Sequence, residues 1–176
     1  TGTGCSRTTA FVGGSCSVSQ AECHAEAVAS TILRGKRGGV AAAAAPRVMF
    51  TDPQIASIGL TEAQARGRRG VQTVRMPLAE SEQALATGTQ AGFVKIVTDR
   101  QHAILGVSIM AGNAAEMIGV WSLAMQHRLT LADMAAAAPA FPTAGEIGKR
   151  AALFYFATAA AQPRTLWGIR LPRLFG

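Results

Sequence analysis

The residues of this chain best placed to do chemistry form one short run, Phe141-Pro142-Thr143-Ala144-Gly145-Glu146. The Glu146 carboxylate could move a proton, or orient a group that does. Thr143-x-x-Glu146 is also the spacing of a capping box. There the hydroxyl and the carboxylate satisfy free N–H groups at a helix start, which stabilises it by about 1 kcal/mol. The other candidates are scattered. Cys5, Cys16 and Cys23 are separated by ten and six residues, so no Cys-x-x-Cys pair exists for zinc. Their odd count points to a reducing compartment, and a cytoplasmic location is expected. His24, His102 and His127 are too dispersed to form a metal site, so no metal is expected. His102 reads as a turn residue and His127 as a helix-end cation. Gly2-x-Gly4 has the look of a dinucleotide loop but lacks a preceding strand and a third glycine.

The elements that position these residues can be read from pattern. Thr8 to Val12 can be a short strand, broken by Gly13-Gly14, and Ser19 to Arg34 reads as a helix stopped by Gly35. Gly38-Gly39 and Ala41 to Pro46 look like a linker. From Arg47 the order is strands, one helix, three strands, then helices. Val48 to Phe50 and Ile55 to Ile58 are short strands about a proline turn. Thr61-x-x-Gln64 opens a short helix ended near Gly67 or Gly70. Val71 to Met76, Phe93 to Thr98 and Ile104 to Met110 are β-branched and strand-like, with a hairpin turn at Asp99 to His102. Asn113 is placed as the N-cap of a helix carrying Met117, Ile118, Trp121 and Met125. Thr130-x-x-Asp133 opens another, ended by Pro139, and Thr143-x-x-Glu146 a third, reaching about Ala161. Strands followed by helices predict an α+β fold, an antiparallel sheet of four or five strands with helices packed on one face.

Composition narrows the partners. The chain has 176 residues, enough for one domain with a real core, and no run of apolar residues is long enough to span a membrane. It begins at Thr1, with no initiator Met and no signal peptide. The net charge of +7 is uneven: residues 47–146 carry eight basic and eight acidic groups, and residues 147–176 carry five basic groups and no acids. A neutral body with a basic tail does not suggest nucleic acid. The tail alternates Arg with Leu, Ile and Trp from Pro163 to Arg173. It could lie on a membrane surface, but packing on protein is the favoured reading.

Several segments recur together in an order that resembles a known family. Phe50-Thr51-Asp52-Pro53-Gln54-Ile55-Ala56-Ser57-Ile58-Gly59-Leu60-Thr61-Glu62 comes first. Gly92 to Val97, Ile104 to Val107, Ala115 to Ile118, Leu129 to Asp133 and the Phe141 segment follow. The match runs from about Arg47 to about Ala152. It resembles the C-terminal dimerisation, or interface, domain of the FAD-dependent pyridine nucleotide-disulfide oxidoreductases, the dihydrolipoamide dehydrogenase and mercuric reductase superfamily. Most members read His-Pro-Thr-x-x-Glu where this chain reads Phe141 to Glu146. Their His is the acid-base catalyst, and the Glu orients it. Here Phe141 stands at the His position, as some mercuric reductase-like members also depart from it. A benzyl ring carries no exchangeable proton, so Glu146 is left to cap its helix and Phe141 to plug a subunit contact.

The resemblance implies more. Gly14 falls where the family's flavin domain has a cofactor-binding Gly-Asp, but Ser15 replaces the Asp that binds the ribityl chain. The family's redox cysteines, four residues apart, have no counterpart. Nor has the terminal pair of mercuric reductases, since this chain ends Leu174-Phe175-Gly176. The organisation expected is a flavin-domain remnant with linker over 1–46, the interface domain over 47–152 and a basic apolar extension over 153–176. A parent protein would use FAD and NAD(P)H, supplied with its other domains from upstream, and would be a homodimer. This chain alone is expected to bind neither cofactor and to be inactive. The competing readings are a binding or scaffold module that kept the fold and lost the chemistry, and a complete small enzyme.

Overall fold

The computed structural model describes residues 45–160 continuously and, ahead of them, the helical positions Ala21, Glu22, Ala25, Ala29, Ile32 and Leu33. The expectations for Thr8 to Val12, Gly14 and Ser15, the three cysteines, His24, the linker before Ala45 and the tail after Ala160 fall outside the described residues.

Among the described residues five strands form one antiparallel sheet: β1 (Arg47–Met49), β2 (Gln54–Gly59), β3 (Gln72–Pro77), β4 (Phe93–Thr98) and β5 (Ile104–Ala111), in the order β1-β2-β5-β4-β3. Alternation of side chains fixes the register, because a slip by one residue would turn the apolar set outward. Val74, Ile96, Val107 and Ile58 stand opposite one another across four strands. Met76, Val94, Ile109, Ala56 and Val48 form the next row. Apart from the half-buried Val48, all of these are buried. The intervening row, Arg75, Lys95, Ser108, Ser57 and Arg47, points the other way and is polar. The chain is thus α+β, as the sequence pattern implies.

The helices are α1 (Glu62–Ala65), α2 (Glu82–Thr87), α3 (Ala114–Gln126), α4 (Leu131–Ala136) and α5 (Glu146–Ala160). α3 lies against β2 and β5, and α5 lies against β3, β4 and α4. Met117, Ile118 and Trp121 of α3 and Ile147, Ala151 and Tyr155 of α5 complete one core with the two apolar rows. The two long helices meet closely. Gly148 lies on the Trp121 indole, and a Cβ there would come within 2.7 Å of the ring. At the end of β2, Gly59 has φ +70 and faces the backbone of Leu105 and Gly106, a place where only glycine fits.

Two local readings need correction. The sequence reading placed no element between β3 and β4, yet a 3-10 turn (Leu78–Glu80) and α2 stand there. Ser81 starts α2 by accepting from Ala84 N, and Gly88 ends it in the left-handed region. Asn113 does precede α3, but its side chain makes no cap. The Ala115 N–H donates instead to Gln54 Oε1 of β2 at 3.0 Å. A long-range side chain has supplied what a local one usually does, and this ties α3 to the sheet.

Candidate functional site

The run from Ala137 to Gly145 connects α4 to α5, and Glu146 and Arg150 lie in the opening turns of α5. Its entry is the open end of α4, where the helix stops at Ala136 and the chain turns extended at Ala137. Phe141 is 63% exposed, and the Phe141-Pro142 peptide is cis. The Thr143 hydroxyl donates to the Ala140 carbonyl at 2.7 Å, bracing the turn. The Glu146 N–H donates to the Thr143 carbonyl at 3.2 Å.

The expected capping box over Thr143 and Glu146 is therefore not made. The Thr143 side chain faces backwards to Ala140, and the Glu146 carboxylate faces forwards along α5. Boxes do form at the two other Thr-led starts. Thr61 pairs with Gln64 at α1, and Thr130 pairs with Asp133 at α4. The difference lies in the competing partner. Arg150, one turn beyond Glu146, donates Nε–H to Glu146 Oε1 at 3.2 Å. A charged guanidinium outbids a neutral backbone N–H for a carboxylate oxygen. The same Arg150 reaches the Glu80 carbonyl through Nη1 and Glu82 Oε1 through Nη2. Glu146 Oε2 is buried and has no hydrogen-bond partner among the described residues.

The face of α5 opposite the core carries Leu153 and Phe154, both about half exposed, and α3 leaves Val120 and Leu123 exposed as well. With Phe141 these are large apolar groups presented to the surroundings. Scattered exposed apolar residues are ordinary, but five on the two main helices and their lead-in loop suit a protein contact.

The remaining titratable candidates are structural in place. His102 closes the β4–β5 turn with φ 63, and its carbonyl accepts from Leu131 N at 2.8 Å. Asp99 Oδ1 fixes that turn by accepting from Gln101 N and Ala103 N, each at 2.9 Å. The His102 Nδ1 lies 3.0 Å from the Tyr155 hydroxyl, which donates to Gln72 Oε1. The Tyr155 hydroxyl oxygen is left to accept from Nδ1–H, so the tautomer is assigned by the network. Local pattern places His102 in a turn but holds no signal for its link to Tyr155, 53 positions away. His127 stands at the C-cap of α3, where its backbone N–H donates to the Leu123 carbonyl. No group of three or more potential metal ligands occurs among the described residues. Glu62, bonded to Lys95 at 2.7 Å, has its carboxyl held below the usual value by that hydrogen bond and by the charge. Asp133 is lowered in the same direction by the Thr130 backbone N–H and hydroxyl.

A dinucleotide cofactor needs a strand, a glycine turn and a helix N-terminus within a parallel βαβ unit. The described sheet is wholly antiparallel and does not fit that group. Gly14, the candidate on the flavin side, lies outside the described residues.

Residues 45–152 match the sequence profile of the pyridine nucleotide-disulphide oxidoreductase dimerisation domain. The chain is 36% identical over 128 residues to a dihydrolipoyl dehydrogenase of Geobacillus stearothermophilus, covering 71% of this chain and 27% of that protein. It is 37% identical over 124 residues to a leghemoglobin reductase of Glycine max, covering 69% of this chain and 24% of that protein. The chain thus spans about a quarter of the length of the curated relatives it matches. Its fold is similar to that of LpdA from Mycobacterium tuberculosis, with a TM-score of 0.67 and 24% identity over 73% of this chain and 28% of that one. It is also similar to the HOCl-induced flavoprotein disulfide reductase RclA from Escherichia coli, with a TM-score of 0.63 and 23% identity over 72% of this chain and 30% of that one. Five antiparallel strands, the helices against them and the profile match over most of the described residues agree, and the chain belongs to the pyridine nucleotide-disulphide oxidoreductase family through its dimerisation domain.

Proposed function

We propose that this chain is the dimerisation domain of a flavin- and NAD(P)-dependent disulfide-oxidoreductase-like protein, acting as a homodimer with the Phe141 segment at a cross-subunit active site. The observation that carries the reading is the profile match over 45–152, joined to the exposed apolar set Phe141, Val120, Leu123, Leu153 and Phe154. Burying these side chains removes apolar surface from water at about 25 cal/mol per Å². Phe141 stands at the position that bears the acid-base His in most of the family, so this segment supplies shape and not a proton. Glu146 keeps the family position but is engaged by Arg150.

FAD and NAD(P)H belong to the parent protein, together with upstream domains that would bind them. This chain alone is then a non-catalytic part, with Gly14 as the residue proposed on the flavin side. No helix among the described residues is long and apolar enough to cross a membrane. We place the parent in the cytoplasm, and the tail after Ala160 against protein in preference to a membrane surface. A purified preparation is expected to be colourless in the flavin band and inert with NADH or NADPH and a disulfide. Stoichiometric bound FAD would overturn this and make Gly14 the first residue to change.

A second reading is a homodimeric scaffold derived from the same domain. The Arg150 engagement of Glu146 favours it, because a carboxylate so held does no proton work. An upstream reading frame carrying Gly-x-Gly-x-x-Gly and a Cys-x4-Cys pair decides for the first reading, and its absence for the second.

A further inference from the structure

We propose that the end of the sheet where the α1–β3 loop meets the β4–β5 turn is a docking surface for a carboxylate-rich segment of another protein. Arg68, Arg69 and Arg100 would hold that segment, with Arg66 beside them.

Two loops build the surface. α1 is followed by Arg66-Gly67-Arg68-Arg69-Gly70, whose three arginines are exposed, as is Arg100. Pairing of Gln72 with Thr98 brings this loop beside the β4–β5 turn. The Arg100 side chain lies across Gly70, where a Cβ would strike it, and the φ of 79 at Gly70 also calls for glycine. This end of the molecule is not the one that carries the Phe141 loop. α5 begins beside that loop and brings Tyr155 to Gln72 and Phe156 to His102 farther along.

No carboxylate among the described residues neutralises these arginines. The ion pairs there are Lys95–Glu62, Arg150–Glu82 and Arg150–Glu146. Glu62 feels the charge of Arg66 but is bonded to Lys95. Asp99, next to Arg100, turns Oδ1 to the N–H groups of Gln101 and Ala103. Cations gathered without counter-charges raise the local positive potential and draw an anionic partner.

The sign of the charge excludes occupants from this chain. Residues 1–44 carry Arg7, Arg34, Lys36 and Arg37 against Glu22 and Glu26, and residues 161–176 carry Arg164, Arg170 and Arg173 and no acid. A second copy brings a net charge of +7. Guanidinium forks match carboxylate and phosphate alike, so the loop's composition must separate the classes. A membrane-binding surface sets apolar side chains among its cations, and a single-strand nucleic-acid site adds aromatic rings for stacking. Arg66 to Gly70 has neither. A duplex is held by a stripe of cations over many phosphates, whereas residues 47–146 balance eight basic against eight acidic groups. An acidic protein segment fits best.

The test is fluorescence anisotropy of a labelled oligoglutamate peptide with the full chain, at physiological and at high salt. Binding that weakens as salt rises is expected. Arg69→Gln with Arg100→Gln is expected to weaken it at least about tenfold. Arg47→Gln with Arg75→Gln removes as many exposed cations from the sheet face and is expected to change it less than about twofold. Equal losses in the two pairs overturn the proposal, and so does a peptide that fails to bind at physiological salt. Tighter binding of a DNA duplex or of phosphatidylserine vesicles than of the peptide also overturns it. Should either pair misfold, NMR shifts of the unsubstituted chain decide. Peptide-induced shifts at the Gly67 and Gly70 amides support the surface, and shifts confined to residues 161–176 overturn it.

Discussion

Single residues carry the sharpest consequences here because two carboxylates are tuned by their neighbours. Asp133 has its folded-state pKa depressed by the N–H and hydroxyl of Thr130. A depressed acid contributes stability that is present above its unfolded value and is lost as pH falls through the folded one. Glu62 behaves in the same direction through Lys95. Asp133→Asn should therefore flatten the fall in melting temperature as pH drops from about 5 to about 2, with Lys95→Met flattening it further. A pH series of thermal melts checks both, and an unchanged slope in the double variant would contradict the assignment. At the core, Ile96 is fully buried among Val74, Val107 and the helices. Ile96→Ala should cost about 2–5 kcal/mol in urea unfolding, through lost burial and the cavity left behind. The resemblance singles out Phe141 as the proposed departure from the family pattern. It does not mark the fate of Glu146, because Thr143-x-x-Glu146 and Glu146-x-x-x-Arg150 are both good local pairings and only the Glu80 carbonyl and the Glu82 carboxylate, which hold Arg150, decide between them.

Elements set how those residues meet. The contact of α3 with α5 depends on Gly148 against Trp121. Gly148→Val must push the indole or the helix aside and should destabilise the chain by about 1–3 kcal/mol, with a red shift of the Trp121 fluorescence as its ring gains water. An unshifted spectrum and unchanged unfolding midpoint would show that the helices are not seated on each other there. Strand identity was legible throughout the body, since β-branched residues and alternation recur in Phe93 to Thr98 and Ile104 to Met110 and both survive in the sheet. The helix α2 was not, although Ser81 and Gly88 bound it, because six residues with one buried alanine give no readable period. The cap of α3 was misread for a related reason. Asn113 has the right residue type, but Gln54 lies 61 positions from the N–H it accepts, and no local pattern reports such a distance.

At the scale of the molecule, the domain leaves apolar side chains on α3, α5 and the Phe141 loop without partners in the described chain. A homodimer buries such a set in matched pairs across a two-fold axis. Phe154→Ser and Phe141→Ala should each weaken association about tenfold or more while leaving the monomer's circular dichroism unchanged, as is usual for aromatic anchors at a contact. The most direct test of the account is sedimentation equilibrium of the unsubstituted chain from low to high micromolar concentration. The account predicts a mass approaching twice 18.2 kDa as concentration rises. A mass that stays at 18.2 kDa throughout that range would contradict it.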